Sequence, residues 1–294
     1  MNIIIAINEK YIPPAKTMLF SLFRNNREKS TVYLLHKDLT AKSVEELRLF
    51  LERCGDVSLV EKRMDSRLFA DAPRMKWWSE EMYYRLLAFA LIPEERALWL
   101  DADIIVNGDI REFYYQELKG YYCSACAGSD QSWAQLIGLE AGRLYFNSGV
   151  ILYNLDEIRK NHTIEDVLRC LNEHSDNLKA PDQDILNLLY QGKVVYSDPA
   201  MFNHEVFGDF IYSKNERSFI MHQAKIIHFN GPVKPWDPKG ANSAGELWWK
   251  YELLQGNKLE YYKYKIFHFP TKCRYGLREI YFIILAQLKK LHKR

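Results

Sequence analysis

The chain lacks several features that would place it in a class at once. Five cysteines are spread over its 294 residues, and the close pair Cys123 and Cys126 has no second pair to complete a structural zinc site. Reduced, buried thiols of a cytosolic protein are therefore expected. The longest late apolar run, Ile280–Leu285, is far too short to span a bilayer. Neither an internal repeat nor a low-complexity segment is present.

The N-terminus lacks the marks of a secretory leader, because no basic segment or small-residue cleavage site precedes Ile3–Ile7. We expect a first buried strand there. Strong overall charge is also missing, since the formal net charge is +2. Residues 258–294 hold ten Lys or Arg and two Glu, which gives this segment +8 and leaves −6 for the rest. A basic tail on an acidic body favours contact with an anionic surface. Nucleic-acid binding is not expected, because no reader motif accompanies these residues.

The composition is that of a folded protein, with 48% hydrophobic and 27% charged residues. The apolar pattern of the first hundred residues predicts a parallel, doubly wound α/β sheet. Its expected strands are 3–7, 32–35, 57–60 and the run before Asp101, and its expected helices are 11–26, 43–54 and 79–91. Ser43 is the expected N-cap of the second helix, with Glu46 completing a capping box. Between the expected strand 57–60 and the expected helix 79–91, Met64–Trp78 is a long irregular segment of the kind that is usually functional.

The rest of the chain has a mixed pattern. We expect further strands at 121–127, 150–154, 194–197 and 226–229, and helices at 163–174, 182–190 and 277–291.

The apolar run that begins at Ala97 ends in two carboxylates, Asp101 and Asp103, with Ala102 between them. In an open α/β sheet, ligands bind at the carboxyl ends of the strands. Two buried carboxylates are costly unless a positive charge accompanies them. A divalent cation such as Mg²⁺ or Mn²⁺, carrying a phosphorylated ligand, would satisfy both. The alternative is a turn in which one aspartate caps the following segment.

Two further segments place polar groups beside an apolar strand. In Asn8–Tyr11, the tyrosine could stack on a nucleotide base and the asparagine could read its edge, or the segment could be a helix-entry turn. In Phe146–Val150, small polar residues allow a ligand to approach the backbone closely, although a plain turn fits equally well.

Two later segments complete the set. In Pro181–Leu186, three adjacent polar side chains could hold sugar hydroxyls, or Asp182 could cap the helix that begins there. In His228–Trp236, the histidine is a candidate metal ligand and Lys234 a candidate phosphate ligand. A lone histidine at a strand end would otherwise be structural.

Together these segments resemble glycosyltransferase family 8, the group that holds bacterial lipopolysaccharide galactosyl- and glucosyltransferases and glycogenin. The resemblance covers about residues 1 to 250 and rests on motifs in the family's order: Leu100–Asp103, Phe146–Val150, Asp182–Asn187 and His228–Trp236. It implies the GT-A fold, with a mixed, mostly parallel sheet flanked by helices. The expected domains are 1–256, the GT-A domain, and 257–294, a basic aromatic helical extension that could associate with a membrane.

The resemblance also implies a site. UDP-galactose or UDP-glucose would be the donor, held through Mn²⁺ or Mg²⁺ bound by Asp101, Asp103 and His228. The other expected donor-site residues are Ala6, Asn8 and Tyr11 at the uridine, Lys234 and the Gly231 amide on the phosphates, and Asn147, Ser148, Asp182 and Gln183 around the sugar. Arg85 matches a basic residue that reaches the donor, and Ala102 is also an expected donor-binding residue. Many relatives carry Asp in place of Asn8 and Asn in place of Lys10. Asp130 is the candidate for an acidic residue near the acceptor.

The implied reaction transfers a hexose, with retention of configuration, to a hydroxyl of a cell-surface or lipid-linked glycan. Asp182 and Gln183 are the expected catalytic residues. Because an amide is a poor nucleophile, we expect front-face attack, with the acceptor hydroxyl deprotonated by a diphosphate oxygen. The expected location is the cytoplasm, with peripheral contact at the inner face of the cell membrane through the tail. Two alternatives are a catalytically silent nucleotide-sugar or glycan-binding protein and a haloacid-dehalogenase-like phosphotransferase, whose D-x-D motif normally lies near the N-terminus.

Overall fold

The computed structural model describes residues 1–65, 67–70, 72–73, 79–208, 210, 212–237 and 244–267. Within them it contains ten strands: β1 Asn2–Ala6, β2 Ser30–His36, β3 Val57–Arg63, β4 Arg96–Leu100, β5 Ile104–Val106, β6 Cys123–Ala127, β7 Phe146–Asn154, β8 Val194–Ser197, β9 His204–Glu205 and β10 Ile226–His228. Seven of them form one sheet in the order β3-β2-β1-β4-β7-β6-β8. Only β7 runs antiparallel to its neighbours in this sheet. The expected mixed, mostly parallel sheet is confirmed.

Helices cover both faces of this sheet. The described α-helices are α1 Ile12–Asn25, α2 Ala41–Cys54, α3 Ala88–Leu91, α4 Arg111–Tyr114, α5 Ser132–Leu136, α6 Leu155–Asn161, α7 Ile164–His174, α8 Pro181–Tyr190, α9 Pro199–Phe202, α10 Lys214–His222, α11 Gly245–Leu254 and α12 Lys258–Phe267. Glu9–Tyr11 and Glu80–Leu87 form 3-10 helices. Because successive strand residues point to opposite faces, Ile3 and Ile5 pack in the core beneath α1 and α2, whereas Ile4 packs with α3 and α6–α8.

A second sheet holds β5, β10 and β9 in that order. Its strand β10 pairs antiparallel with β5, so that His228 lies opposite Ile104. Residues of α10 and α11, including Ile220 and Trp248, bury the other side of this small sheet. The segment Asp101–Asp103 therefore connects the last residue of β4, in the large sheet, to the first residue of β5, in the small one.

Several local predictions need correction. Thr40, not Ser43, caps α2: its side chain accepts the Ser43 N–H at 3.1 Å, and Glu46 pairs with Lys16 instead of completing a capping box. The predicted helix 79–91 is a 3-10 helix followed by one α-turn. The polar residues after Phe146 lie inside β7, not in a turn before it, because the strand already begins at Phe146.

The basic C-terminal segment begins as helix α12, which packs on α11. The rings of Trp249 and Tyr264 stack with centroids 4.8 Å apart, and Lys265 forms an ion pair with Glu246 at 2.9 Å. The predicted helix 277–291 and part of the segment 64–78 lie outside the described residues. Among the residues that are described, we find no helix with the length and apolar character needed to cross a membrane.

Candidate active site

Asp101, Asp103 and His228 come together where the two sheets meet. One ligand atom from each of them lies within 4.8 Å of the other two. The imidazole Nε2 of His228 is 3.4 Å from Oδ1 of Asp103. The arrangement follows from the backbone: Asp101 N–H donates to the Gly149 carbonyl at 2.9 Å, and the Phe229 N–H donates to the Asp103 carbonyl at 3.0 Å. The turn after β4 is thus held against both β7 and β10.

The Asp103 carboxylate is almost fully buried, with 8% of the residue exposed. Lys234 Nζ contacts its Oδ2 and also donates to the Phe229 carbonyl at 2.9 Å. Burial alone would raise the pKa of Asp103, but Lys234 and His228 outweigh it and hold that pKa well below the usual range. Burial likewise opposes a charged His228, but the neighbouring Asp103 raises the pKa of the imidazole. The site therefore favours an ionised carboxylate.

Arg85 is the buried cation that holds the other acidic groups in place. It comes from the 3-10 helix Glu80–Leu87 and is 6% exposed. Its Nη2 donates to Asp101 Oδ1 at 2.8 Å, and its Nε lies 2.9 Å from Asp182 Oδ2. Its Nη1 donates to the carbonyl and hydroxyl of Ser148 at 2.7 and 2.8 Å. Burial lowers the pKa of Arg85, but the two aspartates outweigh this effect and raise it. Its guanidinium is used within the protein to position the site.

The segment Phe146–Val150 lies at a register shift. Ala125 of β6 pairs with Ile151, but the next residue, Cys126, pairs with Asn147, so the residues between them bulge away from β6. This bulge turns Ser148 towards Arg85. It also brings Gly149 so close to His228 that an added Cβ would lie 2.3 Å from the ring carbon Cε1. A glycine is required at 149 by this close approach.

The helix α8 supplies the next group. Asp182 is not its N-cap: the cap position is Ala180, and the Asp182 side chain pairs with Arg85 instead. Burial raises the pKa of Asp182, against the effect of Arg85. Asp184 instead anchors the helix start, because it accepts the N–H groups of Lys179 at 2.7 Å and Ala180 at 3.0 Å.

Both ends of the Gln183 amide are engaged. Its Oε1 accepts the Ser148 N–H at 2.8 Å, and its Nε2 donates to the Tyr145 hydroxyl at 2.9 Å. Tyr145 in turn donates to Asp184. Gln183 and Asp182 thus lie beside Ser148, as the sequence suggested, but the amide is held in one orientation.

The expected uridine residues lie around the ends of β1 and the turn after it. Ala6 ends β1, and Asn8 caps the 3-10 helix by accepting the Lys10 N–H at 3.1 Å, so this segment forms a turn at the entry to α1. Tyr11 is half-buried; burial, with smaller contributions from Asp103 and Asp101, raises its pKa to about 12. Its ring meets that of Trp236 edge-on at 6.3 Å.

The remaining expected residues have local partners. Ala102 is buried between the two aspartates. Gly231 adopts a positive φ of 83°, and its N–H donates to the Asn230 side chain at 2.7 Å. Asp130 accepts from the Ser132 backbone at 3.0 Å and from the Trp133 indole at 3.0 Å in the turn before α5, whose N-cap position is Gln131.

Two residues near His228 were missed from the sequence: Asn203, which is buried, and Glu205, which is half-buried. The side chain of Asn203 is 3.1 Å from His228 Nδ1, and Glu205 binds Asn147 and Asn230. They lie in Phe202–Glu205, where nothing in the local sequence pattern signals a site. A buried asparagine between the short helix α9 and the two-residue strand β9 could be found only from its partners.

The residues present fit a divalent cation. Oδ1 of Asp103 is buried and has no hydrogen-bond partner among the described residues, because the 3.4 Å approach of His228 is not aligned as a hydrogen bond. Both donors to Asp101, Arg85 and Trp99, use its Oδ1. The 4.8 Å limit on the ligand separations compares with roughly 4.2 Å between opposite ligands of an ion that binds at about 2.1 Å. Two carboxylates and an imidazole are a suitable ligand set for Mn²⁺.

The chain is similar to known glycosyltransferases. The model of Glycosyl transferase family 8 matches residues 2–240. A lipopolysaccharide 1,2-glucosyltransferase of Escherichia coli is 30% identical over 249 residues, which cover 80% of this chain and 73% of that protein. Glycosyltransferase GlyF of Streptococcus pneumoniae is 24% identical over 91% of this chain, which spans 65% of that protein's length.

Solved structures give the fold. The galactosyltransferase LgtC, in complex with donor and acceptor sugar analogues, has a TM-score of 0.70 at 22% identity and covers 87% of this chain and 96% of its own. Glycosyltransferase GlyE of Streptococcus pneumoniae has a TM-score of 0.65 at 22% identity, covering 92% of this chain and 65% of its own. The expected GT-A fold is thereby confirmed. With the family model matched over most of its length, the chain belongs to glycosyltransferase family 8.

Proposed function

We propose that this family 8 glycosyltransferase transfers galactose or glucose from a UDP-sugar to a hydroxyl of a cell-surface or lipid-linked glycan, with retention of configuration. The convergence of Asp101, Asp103 and His228 beside Lys234 carries this proposal. The names of a lipopolysaccharide 1,2-glucosyltransferase and a galactosyltransferase among its relatives support a hexose and a surface glycan. We place the reaction in the cytoplasm, at the inner face of the membrane. The family match leaves the haloacid-dehalogenase alternative without support.

The physical demand is the departure of a nucleoside diphosphate, whose phosphates gain negative charge as the glycosidic bond breaks. Asp101, Asp103 and His228 would hold Mn²⁺ or Mg²⁺, which supplies positive charge to the diphosphate when it is bound. Lys234 adds a second positive charge within the same site. Arg85 keeps Asp101 and Asp182 fixed, so that little reorganisation is needed when the donor binds.

The environment of Gln183 supports front-face attack by the acceptor hydroxyl. Its amide oxygen, the candidate nucleophile, already accepts the Ser148 N–H, and the amide nitrogen is held by Tyr145. Neither contact increases the nucleophilicity of the oxygen. We therefore assign Gln183 to orienting the sugar, and the acceptor proton to a diphosphate oxygen. A glycosyl adduct on residue 183 in the native enzyme, and not only in Gln183→Glu, would overturn this assignment.

The test is a thermal-shift panel of UDP-glucose, UDP-galactose and UDP, each with and without Mn²⁺, followed by measurement of UDP release. We expect stabilisation by one UDP-sugar that requires Mn²⁺ and is lost in Asp103→Asn. Slow UDP release from the donor alone would favour an enzyme over a silent binding protein. Stabilisation that is equal with and without Mn²⁺ would contradict the metal assignment, and no response to any UDP-sugar would contradict the donor.

A further inference from the structure

His228 has two ring nitrogens, and only one of them faces the carboxylates. Nε2 lies towards Asp103, whereas Nδ1 lies 3.1 Å from Oδ1 of Asn203. A neutral imidazole carries its proton on one nitrogen and has a lone pair on the other. A metal can bind at Nε2 only if the proton is on Nδ1. The neighbours of Nδ1 therefore decide whether His228 can act as a ligand.

An asparagine amide can offer either a donor or an acceptor, so its orientation must follow from partners that have a single role. Asn147 has two such partners. The Gly149 N–H can only donate, and it lies 2.9 Å from Oδ1 of Asn147. The Glu205 carboxylate can only accept, and it lies 3.1 Å from Nδ2 of Asn147. These two contacts fix the oxygen of Asn147 on the side of Gly149.

Glu205 is itself held as an acceptor. Its Oε1 accepts from Asn230 at 2.6 Å, and its Oε2 accepts the Ser129 N–H at 2.8 Å. Both oxygens of the Glu205 carboxylate are therefore bound by donors. The orientation of Asn147 is set from both of its ends.

The orientation of Asn203 follows from that of Asn147. Because Oδ1 of Asn147 faces Asn203, Asn203 must present its Nδ2 there, and the two atoms are 3.0 Å apart. Its Oδ1 is then the only amide atom left to face His228. An oxygen at this position requires the proton on Nδ1. Asn203 and His228 are 2% and 3% exposed, so water does not compete for these contacts.

We propose that Asn203, oriented by Asn147 and Glu205, is a positioning residue that holds His228 in its Nδ1–H form and so keeps Nε2 free for the metal. The competing acceptor is Oδ1 of Asp103, which is buried, lacks a hydrogen-bond partner among the described residues and lies 3.4 Å from Nε2. Without Asn203, this carboxylate oxygen attracts the proton to Nε2 and blocks the lone pair. Removing a residue that orients a metal-binding histidine typically lowers the metal affinity about 10–100-fold.

The role of Gly149 is consistent with this assignment. A Cβ at this position would lie 2.8 Å from Nδ1 and 2.3 Å from Cε1 of His228. The segment Asn147–Gly149 therefore supplies the orienting oxygen, the N–H that fixes it, and the space in which the ring stands. The inference rests on the proposed metal-dependent function only where it concerns affinity; the proton position is a property of the metal-free protein.

The experiment uses the full chain labelled with ¹⁵N-histidine, without metal, at a pH where the ring is neutral, because the ¹⁵N shifts distinguish the two tautomers. We expect Nδ1–H for His228 in the native protein and Nε2–H in Asn203→Leu. Asn26→Leu is the matched control: Asn26 is also buried, at 3% exposure, and bonds to the Gly108 carbonyl instead. It should lose stability without changing the tautomer.

Mn²⁺ affinity, measured with UDP present, should fall about 10–100-fold in Asn203→Leu and stay unchanged in Asn26→Leu. An Nε2–H ring in the native protein, an unchanged ring in Asn203→Leu, or unchanged Mn²⁺ affinity in that variant would each overturn the inference. The native spectrum alone decides the proton position, even where a variant does not fold. If native protein with an Nδ1–H ring binds no Mn²⁺, the proposed function fails while the assignment of the tautomer stands.

Discussion

Removing Arg85 should destabilise the protein more than any exposed arginine would. Its guanidinium lies between Asp101 and Asp182, whose side chains are 25% and 10% exposed. Arg85→Met leaves both carboxylates near each other without a counter-charge and also leaves the Ser148 hydroxyl without its donor. The lost contacts are hydrogen-bonded and largely screened from water.

The size of the effect can be worked out. Breaking a buried ion pair by removing one partner costs about 3–5 kcal/mol. Unfolding of a chain of this length carries an entropy of about 0.6 kcal/mol per kelvin, from about 2.1 cal/mol/K for each residue. The melting temperature of Arg85→Met should therefore fall by about 5–8 °C. Adding Asp182→Asn removes one of the unpaired charges, so the double variant should be more stable than Arg85→Met alone.

The assay is thermal unfolding monitored by calorimetry, with urea unfolding as a second measure of the free energy of unfolding. Arg169→Met is the control, because Arg169 is 63% exposed and pairs with Asp166 on the surface of α7; it should change stability by less than about 1 kcal/mol. A fall of less than about 2 °C for Arg85→Met, or a double variant less stable than the single one, would refute the view of Arg85 as the charge that holds the site together.

Three further outcomes are expected. Gly149→Ala should weaken Mn²⁺ binding, because the added Cβ would lie 2.3 Å from Cε1 of His228 and would push the ring away. An unchanged Mn²⁺ affinity, measured by titration, would show that the ring does not lie against residue 149. Burial raises the pKa of Asp184 above its ordinary 3.8, so the unfolding free energy of the native protein should fall relative to that of Asp184→Asn as the pH rises through the raised value; a difference that does not vary with pH would contradict this. The basic segment 268–294 should bind anionic vesicles. Flotation of the full chain against a chain ending at 267, which retains α12, tests this, and equal flotation of both would end the idea.

The sequence predicted most of the large sheet, because its strands are short apolar runs that alternate with amphipathic helices. It also located the acidic turn and His228, since two carboxylates at a strand end, and a histidine at a strand end six residues before a lysine, are typical of a site that binds a metal and a phosphate. It could not choose between Thr40 and Ser43 as a cap, because both are hydroxyl residues within one turn. It also missed the start of β7, where small polar residues resemble a turn.

The supporting residues were beyond the reach of the sequence for a different reason. Asn203 contacts His228 directly, and it is oriented by Asn147, which belongs to a distant strand and is itself held by Glu205. Asp182 looked like a helix cap because capping is a local property, whereas its actual partner, Arg85, comes from another element. Contacts between distant segments leave no periodic signal, so the candidate ligands were recognisable and the residues that hold them in place were not.

The division of the acidic turn between two sheets has a consequence for how this protein could be re-engineered. Asp101 follows the end of β4 in the large sheet, whereas Asp103 precedes β5 and His228 ends β10, both in the small sheet. A bound cation would act as a cross-link between two sheets that are otherwise joined by the turn Asp101–Asp103 and by side-chain packing, much as a disulfide joins distant parts of a chain. A chimaera that takes residues 199–230 from a relative would exchange His228 and the amide of Asn203 that orients it, while keeping Asp101 and Asp103. Such a graft should be tested for metal binding before its turnover is measured.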